Sequence, residues 1–540
     1  MLGDADGRKA DALSLLGLSL VRSDPAQSIR LLTEAVERKP EKTSLRVNLG
    51  QVLVGTGRTV DGIRHLEQAS RQSHGHPSAV IPLADAYAQS GRLEAADSVL
   101  SKALEAAPLE DLLRKRAEIR YRAGDLHAAD EFIGRVIEAS EDPRPSDLLT
   151  QVRLVIQLAD FERAEVLVEA LLEKTPHEPA VVAPAVRAYD WQGKADRANE
   201  ILSAALAEHP DDPRLIELAL TQSDELAAEV RGRAEAIVAS LPDDATLKTV
   251  LLYPLARFYD RQGELDRAWQ TMLQANDLAR RRRKSTANPD EVYTQLSAYF
   301  SRALAKSSGL VAESTEGPAF IYLCGAPRTG STLIQTMLAA HRNVASVGER
   351  GALLRQLGTV AESADVGPLP GYLAELAKAD LALLARLGYT SGAVVDKTPH
   401  NFYVLPLLRA THNRSVFINV VRDPRDVAIS MLFHDFSTAF PEATDLEAIA
   451  RMLRARAEGT RRYREAGIDL LTISYESFVD DSEQVGRRAA EFAGIEWEPD
   501  SLSAERRDSA VSNFSAGQVR KDIARPLGQR WRRFEDQLSD

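Results

Sequence analysis

A period of about 34 residues runs through the first half of this 540-residue chain and constrains its fold more than any other feature. A small residue is followed five positions later by a second one, and the first member recurs after 34, 33, 35 and 34 residues. The small-residue pairs are Gly57/Gly62, Gly91/Ala96, Gly124/Ala129, Ala159/Ala164 and Gly193/Ala198. Prolines near the repeat ends recur at a similar interval. This period predicts stacked helical hairpins that bury a continuous core between neighbours.

Each pair has a physical role in such a hairpin. The first small residue ends the first helix of the hairpin, and the second lets the two helices approach closely. The pattern resembles the tetratricopeptide family over roughly residues 10–283. Ser23/Ser28 reads as a worn first repeat, whereas Gly263/Ala268 follows Gly193 after 70 residues, which predicts one degenerate unit between them. The resemblance implies a superhelical array that binds a peptide or protein partner on its concave face.

The bulk composition limits the partners and the compartment. A length of 540 residues predicts at least two domains. The net charge of −12 argues against binding to nucleic acids or anionic membranes. The basic run 280–284 is interpreted as a solvated helix end. The single cysteine, Cys324, excludes an intrachain disulfide. No signal peptide and no run of about 20 apolar residues is apparent, so we expect a cytoplasmic protein.

The pattern changes after the repeats. A helical stretch, 290–305, leads into a linker rich in Ser, Gly and Glu, 306–317. We therefore predict a repeat array over 1–283, a helical connector and linker over 284–317, and a second domain over 318–540.

The second domain opens with a strand, a glycine loop and a helix. The buried-strand candidate 319–324 precedes the loop 325–332, and an apolar helical face follows. A helix N-terminus presents free N–H groups and partial positive charge to an anion. The loop has the G-x-x-x-x-G-K-[ST] skeleton of nucleoside triphosphatases, but Ser331 stands in the lysine position. This substitution argues against ATP or GTP hydrolysis. Arg328 would supply positive charge to one terminal phosphate group.

A second anion motif follows about ninety residues later. The strand candidate 415–421 is followed at once by Arg422, and Ser430 lies eight residues on, in R-x-P-x-D-x-x-x-S. A guanidinium at a strand end can grip a phosphate bidentately, and Asp426 is expected to cap or brace the following helix. Two phosphate sites at the carboxyl ends of parallel strands suit a nucleotide that carries phosphates at both its 5′ and 3′ positions.

These motifs resemble those of sulfotransferases, with Thr329 and Ser331 as conservative departures. The resemblance implies an α/β P-loop-like domain with a central parallel sheet that binds 3′-phosphoadenosine-5′-phosphosulfate (PAPS). Residues 394–402 resemble a segment of tyrosylprotein sulfotransferases that carries Lys397. Residues 470–479 and 514–523 resemble two later segments of the family. This resemblance implies that Tyr475 lies near the adenine and Ser515 near the sulfate. The implied donor-binding residues are Pro327, Arg328, Thr329, Gly330, Ser331, Thr332, Arg422, Ser430 and Tyr475.

The same resemblance assigns catalytic roles. Glu349 matches the glutamate that takes the phenol proton in tyrosylprotein sulfotransferases, and a carboxylate can serve as base if cations make the hydroxyl more acidic. His400 and His434 are rival bases, whereas His341 is expected to end the loop helix. Arg328 and Lys397 would stabilise developing charge, with Ser515 as a hydrogen-bond donor. No metal is expected, because the single cysteine and scattered histidines form no ligand cluster.

The expected function is transfer of a sulfuryl group from PAPS to a hydroxyl acceptor, such as a peptide tyrosine or a glycan, with the repeats recognising the acceptor or a partner. Two alternatives stay open on the sequence. One is a non-catalytic repeat scaffold whose second domain binds the product 3′-phosphoadenosine-5′-phosphate (PAP). The other is a P-loop kinase, against which Ser331 speaks.

Overall fold

A computed structural model describes residues 2–106, 109–158, 160–283, 289–310, 312, 317–362, 369–386, 388–436, 439–502 and 529–538. The density of contacts divides the chain into two units, 1–158 and 159–540. The first unit is helical. Its helices, α1 to α9 in chain order, are Leu2–Ser19, Pro25–Arg38, Thr43–Gly55, Thr59–Gln72, Pro77–Gln89, Leu93–Ala106, Glu110–Ala123, Leu126–Glu138 and Pro145–Gln157.

Within the described residues, the members of the repeat pairs lie where the period predicts them. Gly124 ends α7 in the left-handed region, with φ +85°, which glycine adopts at little cost, and the side chain of Asp125 then caps α8. The second members are buried between the two helices of their hairpins: Ala96 and Ala129 are fully buried, as is Ser28 of the worn first repeat. The tetratricopeptide prediction is thereby confirmed for this unit.

Gly62 gives a direct test of the close helix approach. A Cβ at this position would lie 2.6 Å from Val54 Cγ2 and 2.7 Å from the Gly50 carbonyl oxygen. We expect Gly62→Ala to destabilise the protein by about 1–3 kcal/mol through overpacking. Gly55→Ala is the matched control, since a Cβ there meets no atom within 4 Å. It should be neutral or slightly stabilising. Thermal unfolding of both variants decides, and equal midpoints would contradict the packing argument.

The second unit continues the repeats. Its first helices, α10 to α16, are Phe161–Lys174, Pro179–Trp191, Ala195–Glu208, Pro213–Gln222, Asp224–Ser240, Thr246–Gln262 and Leu265–Arg283. The predicted degenerate unit is the hairpin α13–α14. Here α13 is only 10 residues long, and Ser223 caps α14 directly by accepting from Leu226 N–H at 3.2 Å. A serine cap needs no left-handed residue, which explains why the glycine signal is missing over these 70 residues.

A parallel sheet forms the centre of the C-terminal domain. Its strands, β1 to β5, are Ala319–Gly325, Val344–Ser346, Ala393–Asp396, Ser415–Val421 and Leu470–Ser474, in the spatial order β2-β3-β1-β4-β5. Every pairing is parallel. The helices around the sheet, α17 to α26, are Pro289–Ser307, Ser331–Ala339, Gly351–Glu362, Leu369–Arg386, Leu405–Thr411, Pro424–Leu432, Leu446–Glu465, Tyr475–Asp480, Ser482–Ala493 and Glu535–Leu538. Short 3-10 helices are Pro399–Val404, Pro441–Thr444, Pro499–Leu502 and Arg530–Phe534.

The sheet is buried on both faces, as continuous apolar strands predict. On β1, Phe320 and Tyr322 face one core, and Ile321 and Leu323 face the other. The first core also takes in Phe300 of α17. The fold class predicted from the sequence, a helical repeat array followed by an α/β domain with a central parallel sheet, is confirmed.

The segment that the sequence presents as a connector contributes to this core. Phe300 of α17 is fully buried and its ring lies 5.5 Å from those of Phe402 and Tyr403, centroid to centroid. Helix α17 therefore packs with the C-terminal domain. The assignment of 284–317 as the connector and linker between the two domains stays a proposal from the sequence.

The last repeat hairpin, α15–α16, packs against α22. Asn276 Nδ2 donates to the Leu432 carbonyl at 2.9 Å, and Arg257 Nη1 donates to the Phe433 carbonyl at 3.1 Å. In the basic run, Arg280 forms an ion pair with Asp445 at 3.2 Å. Among the helices that the structure describes, none combines the length and apolar composition needed to cross a bilayer.

Candidate functional site

The carboxyl ends of the five strands bring the predicted site residues to one edge of the sheet. Because all strands are parallel, the segment after each strand emerges at that edge. Glu349 follows β2, Lys397 follows β3, Arg422 follows β4, and Tyr475 follows β5. The glycine loop connects β1 to α18, and its residues 326–330 lie between these two elements. In the spatial order of the strands, these residues form one row, with the loop at its centre.

The glycine loop is shaped by two residues in the left-handed region. Arg328 has φ +70° and Gly330 has φ +88°. A left-handed arginine is uncommon and costs about 1–3 kcal/mol, which the surrounding structure must offset. Thr329 Oγ1 donates to the Ala326 carbonyl at 2.8 Å, so this side chain braces the loop. Gly330 then begins α18, whose first residues are 331–332 and whose N-terminal N–H groups suit an anion.

The two anion motifs are in direct contact. Arg328 Nε donates to Ser430 Oγ at 2.8 Å. Arg422 Nη1 donates to the Arg328 carbonyl oxygen at 3.3 Å, and its Nη2 donates to Asp426 at 3.3 Å. Residues about 100 positions apart in sequence thus surround one small region, as a single doubly phosphorylated ligand would require.

Tyr475 packs between the two motifs. The guanidinium of Arg422 lies 4.5 Å from the centre of the Tyr475 ring, a cation–π distance. On the loop side, a Cβ on Gly330 would lie 2.4 Å from Tyr475 Cδ2. The glycine is therefore required by the tyrosine as well as by its own backbone conformation.

The sequence left open whether Asp426 caps α22 or braces it. In the structure, two acidic residues of the second motif take these two roles. Asp423 is the helix cap, since it accepts from Arg425 N–H at 2.9 Å. Asp426 is a brace: it is buried and accepts from the backbone N–H groups of Gln529 at 2.7 Å and Trp531 at 3.1 Å. Asp426 thereby ties the end of the described chain to α22.

Sequence reasoning missed Arg530 as a site residue. Burial, together with the charges of Arg530 and Arg422, lowers the pKa of Arg328 to about 10. Burial is also the main reason why the pKa of Arg257 is lowered to about 10. The charge of Glu217 opposes this lowering of the pKa, whereas the charges of Arg328 and Arg530 add to it. Arg530 lies in the segment 526–534, whose sequence resembles the ending of the sulfotransferase family, but nothing in that motif marked this arginine. Arg257 carried no sequence signal at all.

This cluster of arginines fits a polyanion. Like charges lower one another's affinity for protons when they are brought together out of water, and an anion among them offsets that repulsion. A nucleotide with 5′ and 3′ phosphates supplies such charge, and the N-terminus of α18 adds N–H donors. The residues present are therefore compatible with PAPS or PAP.

Glu349 and Lys397 form an ion pair at the other side of the loop. Lys397 Nζ donates to Glu349 Oε1, and the Lys397 backbone N–H donates to the Gly348 carbonyl at 3.0 Å. The lysine side chain is 8% exposed and the glutamate side chain 53%. A carboxylate held by a buried ammonium and open on its other side can accept a proton from a hydroxyl.

A buried charge network lies directly behind this pair. Arg350, next to Glu349, forms ion pairs with Asp380 at 2.7 Å and with Asp396 at 3.2 Å. Asp396 precedes Lys397, so the network links the ends of β2 and β3. Burial raises the pKa of Asp396. At Asp380, Arg350 and His412 together overcome the effect of burial and lower the pKa. Sequence reasoning did not identify this network.

The rival histidines are engaged by backbone carbonyls. His434 Nδ1 lies 2.7 Å from the Ser430 carbonyl, and burial holds its pKa well below the usual range. His400 Nε2 lies 3.0 Å from the Ala439 carbonyl, its ring stacks on Phe440, and burial lowers its pKa. The sequence predicts that His341 ends the loop helix, but that helix ends at Ala339, and His341 lies two residues beyond it, where its Nδ1 accepts from Asn343 N–H at 3.1 Å. Within the described ranges, no group of three His, Cys, Asp or Glu side chains is placed to hold a metal ion.

One predicted site residue lies outside the described residues. This residue is Ser515, which belongs to the segment 503–528 between the described ranges 439–502 and 529–538. Its assignment near the sulfate stays a prediction from the family resemblance.

Family comparison identifies both parts of the chain. Residues 318–499 match the sulfotransferase family, and residues 53–119 and 155–220 match the tetratricopeptide repeat. Arg257 and Arg530 lie outside both matches.

Similar proteins add the following. An uncharacterised protein of Aquifex aeolicus is 24% identical over 561 aligned positions, which cover 97% of this chain and 72% of that protein. A tetratricopeptide repeat protein from Parabacteroides merdae covers 50% of this chain and 93% of its own, at 15% identity and a TM-score of 0.34. The match to PilF of Pseudomonas aeruginosa covers 39% of this chain and 96% of PilF, at 14% identity and a TM-score of 0.31. The assignment of the two parts rests on the family matches.

Proposed function

We propose that this chain, which carries a sulfotransferase-family domain behind a tetratricopeptide repeat array, transfers a sulfuryl group from PAPS to a hydroxyl acceptor. The observation that carries the proposal is the contact of the two anion motifs, in which Arg328 bonds to Ser430 and Arg422 bonds to the Arg328 backbone. A Glu349–Lys397 pair on neighbouring strands adds a proton acceptor and a cation to the same sheet edge.

The donor would lie along the sheet edge from the glycine loop towards β5. Residues 327–332, with the N–H groups at the start of α18, would hold the 5′-phosphosulfate. Arg422 and Ser430 would hold the 3′-phosphate, and Tyr475 would pack against the adenine. PAPS, when bound, supplies the sulfuryl group, and its phosphate-bearing remainder leaves as PAP.

The acceptor would approach at Glu349. This carboxylate accepts the hydroxyl proton while the acceptor oxygen forms its bond to sulfur and the bond from sulfur to the 5′-phosphate oxygen breaks. The electron pair of the broken bond goes to that phosphate oxygen. Arg328, Lys397 and the N–H groups of α18 stabilise the charge that collects there, and Ser515 would donate a further hydrogen bond.

Arg422 gives a test of donor binding. Replacing Arg422 by methionine removes a charge-assisted contact to phosphate, which is worth about 1.5–3 kcal/mol. We expect PAP to bind roughly 10- to 100-fold more weakly, as measured by calorimetry. Arg461→Met is the matched control, because Arg461 is an exposed arginine paired with Glu458 on α23. Equal affinities for wild type and Arg422→Met would remove Arg422 from the donor site.

The function as a whole is tested by incubating the full chain with radiolabelled PAPS and candidate acceptors, peptide tyrosines and glycans first. A wild-type protein that binds neither PAP nor PAPS refutes the proposal. Tight magnesium-dependent ATP binding would instead favour a kinase, although Ser331 stands where the phosphate-binding lysine of such enzymes would be. The repeats would recognise the acceptor or a partner protein.

A further inference from the structure

We infer that Asp260, in the last repeat hairpin, is a positioning residue of the donor site: it holds the side chain of Arg530, whose two chain neighbours bond to Asp426 of the donor motif. This inference rests on the proposed function and deepens it. It makes the donor site a composite of repeat helix α15 and the sulfotransferase domain. Asp260 lies outside the residues that match either family.

The first support is the set of contacts at Asp260. Its side chain is 6% exposed and lies between two arginines from the end of the described chain. Arg530 Nε donates to Asp260 Oδ2 at 2.9 Å, and Arg533 Nη1 lies 2.9 Å from Asp260 Oδ1. Arg533 also donates to the Asp260 backbone carbonyl. The hydrogen bond from Arg530 to this buried carboxylate fixes the orientation of the Arg530 guanidinium, and Arg533 adds a second positive charge next to the carboxylate.

The second support is that Arg530 is fixed from its backbone as well. Asp426 accepts from the N–H groups of Gln529 and Trp531, the two neighbours of Arg530, and also binds Arg422. One carboxylate of the donor motif therefore holds the backbone around Arg530, and Asp260 of the repeats holds its side chain.

Apolar contacts complete the arrangement. The guanidinium of Arg530 lies 4.6 Å from the centre of the Phe433 ring. The Phe534 ring lies 5.3 Å from that of Phe433, on the loop after α22, and 5.7 Å from that of Trp269, on α16, centroid to centroid. The segment is thus packed between the last repeat hairpin and the helix that carries Ser430.

Electrostatics explain why Arg530 needs Asp260. Burial lowers the pKa of Arg530, and Asp260 is the largest attraction that opposes this effect. The charge of Arg530 in turn lowers the pKa of Arg328, so the two cations repel each other. Without the carboxylate, desolvation and repulsion would drive the Arg530 side chain out towards water. The donor site would then lose one of its cations.

The experiment uses the full chain and PAP titration by calorimetry. We expect Asp260→Asn to bind PAP about 10-fold more weakly than wild type. Asp224→Asn is the matched control, because Asp224 of α14 forms an exposed ion pair, at 2.8 Å, with Arg261, the neighbour of Asp260 on α15. It should bind as wild type does. Asp260→Glu keeps the charge and should recover part of the affinity.

A double-mutant comparison separates positioning from a merely structural role. If Asp260 acts through Arg530, Asp260→Asn should cause no further loss of affinity when Arg530 is already methionine. An equal loss in both backgrounds overturns the inference, even if Asp260→Asn also lowers the melting temperature. So does an affinity for Asp260→Asn that is unchanged or tighter while wild type binds PAP. A wild type that does not bind PAP overturns the proposed function and this inference together.

Discussion

Glutamine in place of Glu349 is expected to lower kcat for sulfuryl transfer roughly 10²- to 10⁴-fold, the range typical of losing a general base. The amide keeps the shape of the side chain and can still contact Lys397, but it cannot take up the acceptor's proton. PAP affinity should stay close to that of wild type, because Glu349 lies on the acceptor side of the glycine loop. Initial rates with labelled PAPS and PAP calorimetry measure the two effects separately.

Glu375→Gln serves as the control for this substitution, since Glu375 is an exposed glutamate on α20. It should change neither rate nor affinity. Full turnover by Glu349→Gln would show that another group takes the proton, and His400 and His434 would then be substituted next. A wild type that binds PAP but transfers no sulfate to any acceptor would instead favour the scaffold alternative.

Methionine in place of Arg350 is expected to destabilise the C-terminal domain by about 3–5 kcal/mol. Arg350 is buried between Asp380 and Asp396. When its guanidinium is removed, the basic group that the described structure leaves beside these carboxylates is His412, whose Nε2 lies 3.1 Å from Asp380 Oδ2. Two carboxylates would then be left close together out of water. Thermal or urea unfolding measures the loss. Arg355→Met, at an exposed position one turn further along α19, is the control and should unfold as wild type does.

The pH dependence of this loss has a definite sign. In the variant, the pKa of both carboxyls should rise above the value of about 3.9 that an unfolded aspartate has. The cost of ionising them in the folded state is present above that unfolded pKa and disappears as the pH falls towards it. The stability gap between wild type and Arg350→Met should therefore be larger at pH 7 than at pH 5. A gap that does not change with pH would contradict the charge explanation.

The sequence by itself determined the elements of this fold. Turns and close helix contacts are local, so they recur as small residues at a period near 34, and the exception at α13–α14 follows from the cap Ser223. Buried parallel strands are continuous apolar runs, which is why the sequence identified β1 and β4 with nearly their full lengths. Arg328 and Arg422 could be named as site candidates because the glycine loop follows β1 and the R-x-P-x-D-x-x-x-S motif follows β4.

Only the tertiary structure decided which residues meet. The strand order β2-β3-β1-β4-β5 places Lys397 between Glu349 and the glycine loop, and nothing local in the sequence encodes that order. Asp260 and Arg530 are 270 residues apart, and each is one charged residue among many on its own segment. Periodicity and motifs report interactions within a few turns of chain. The meaning of a buried charge depends on the partner that the folded chain brings to it.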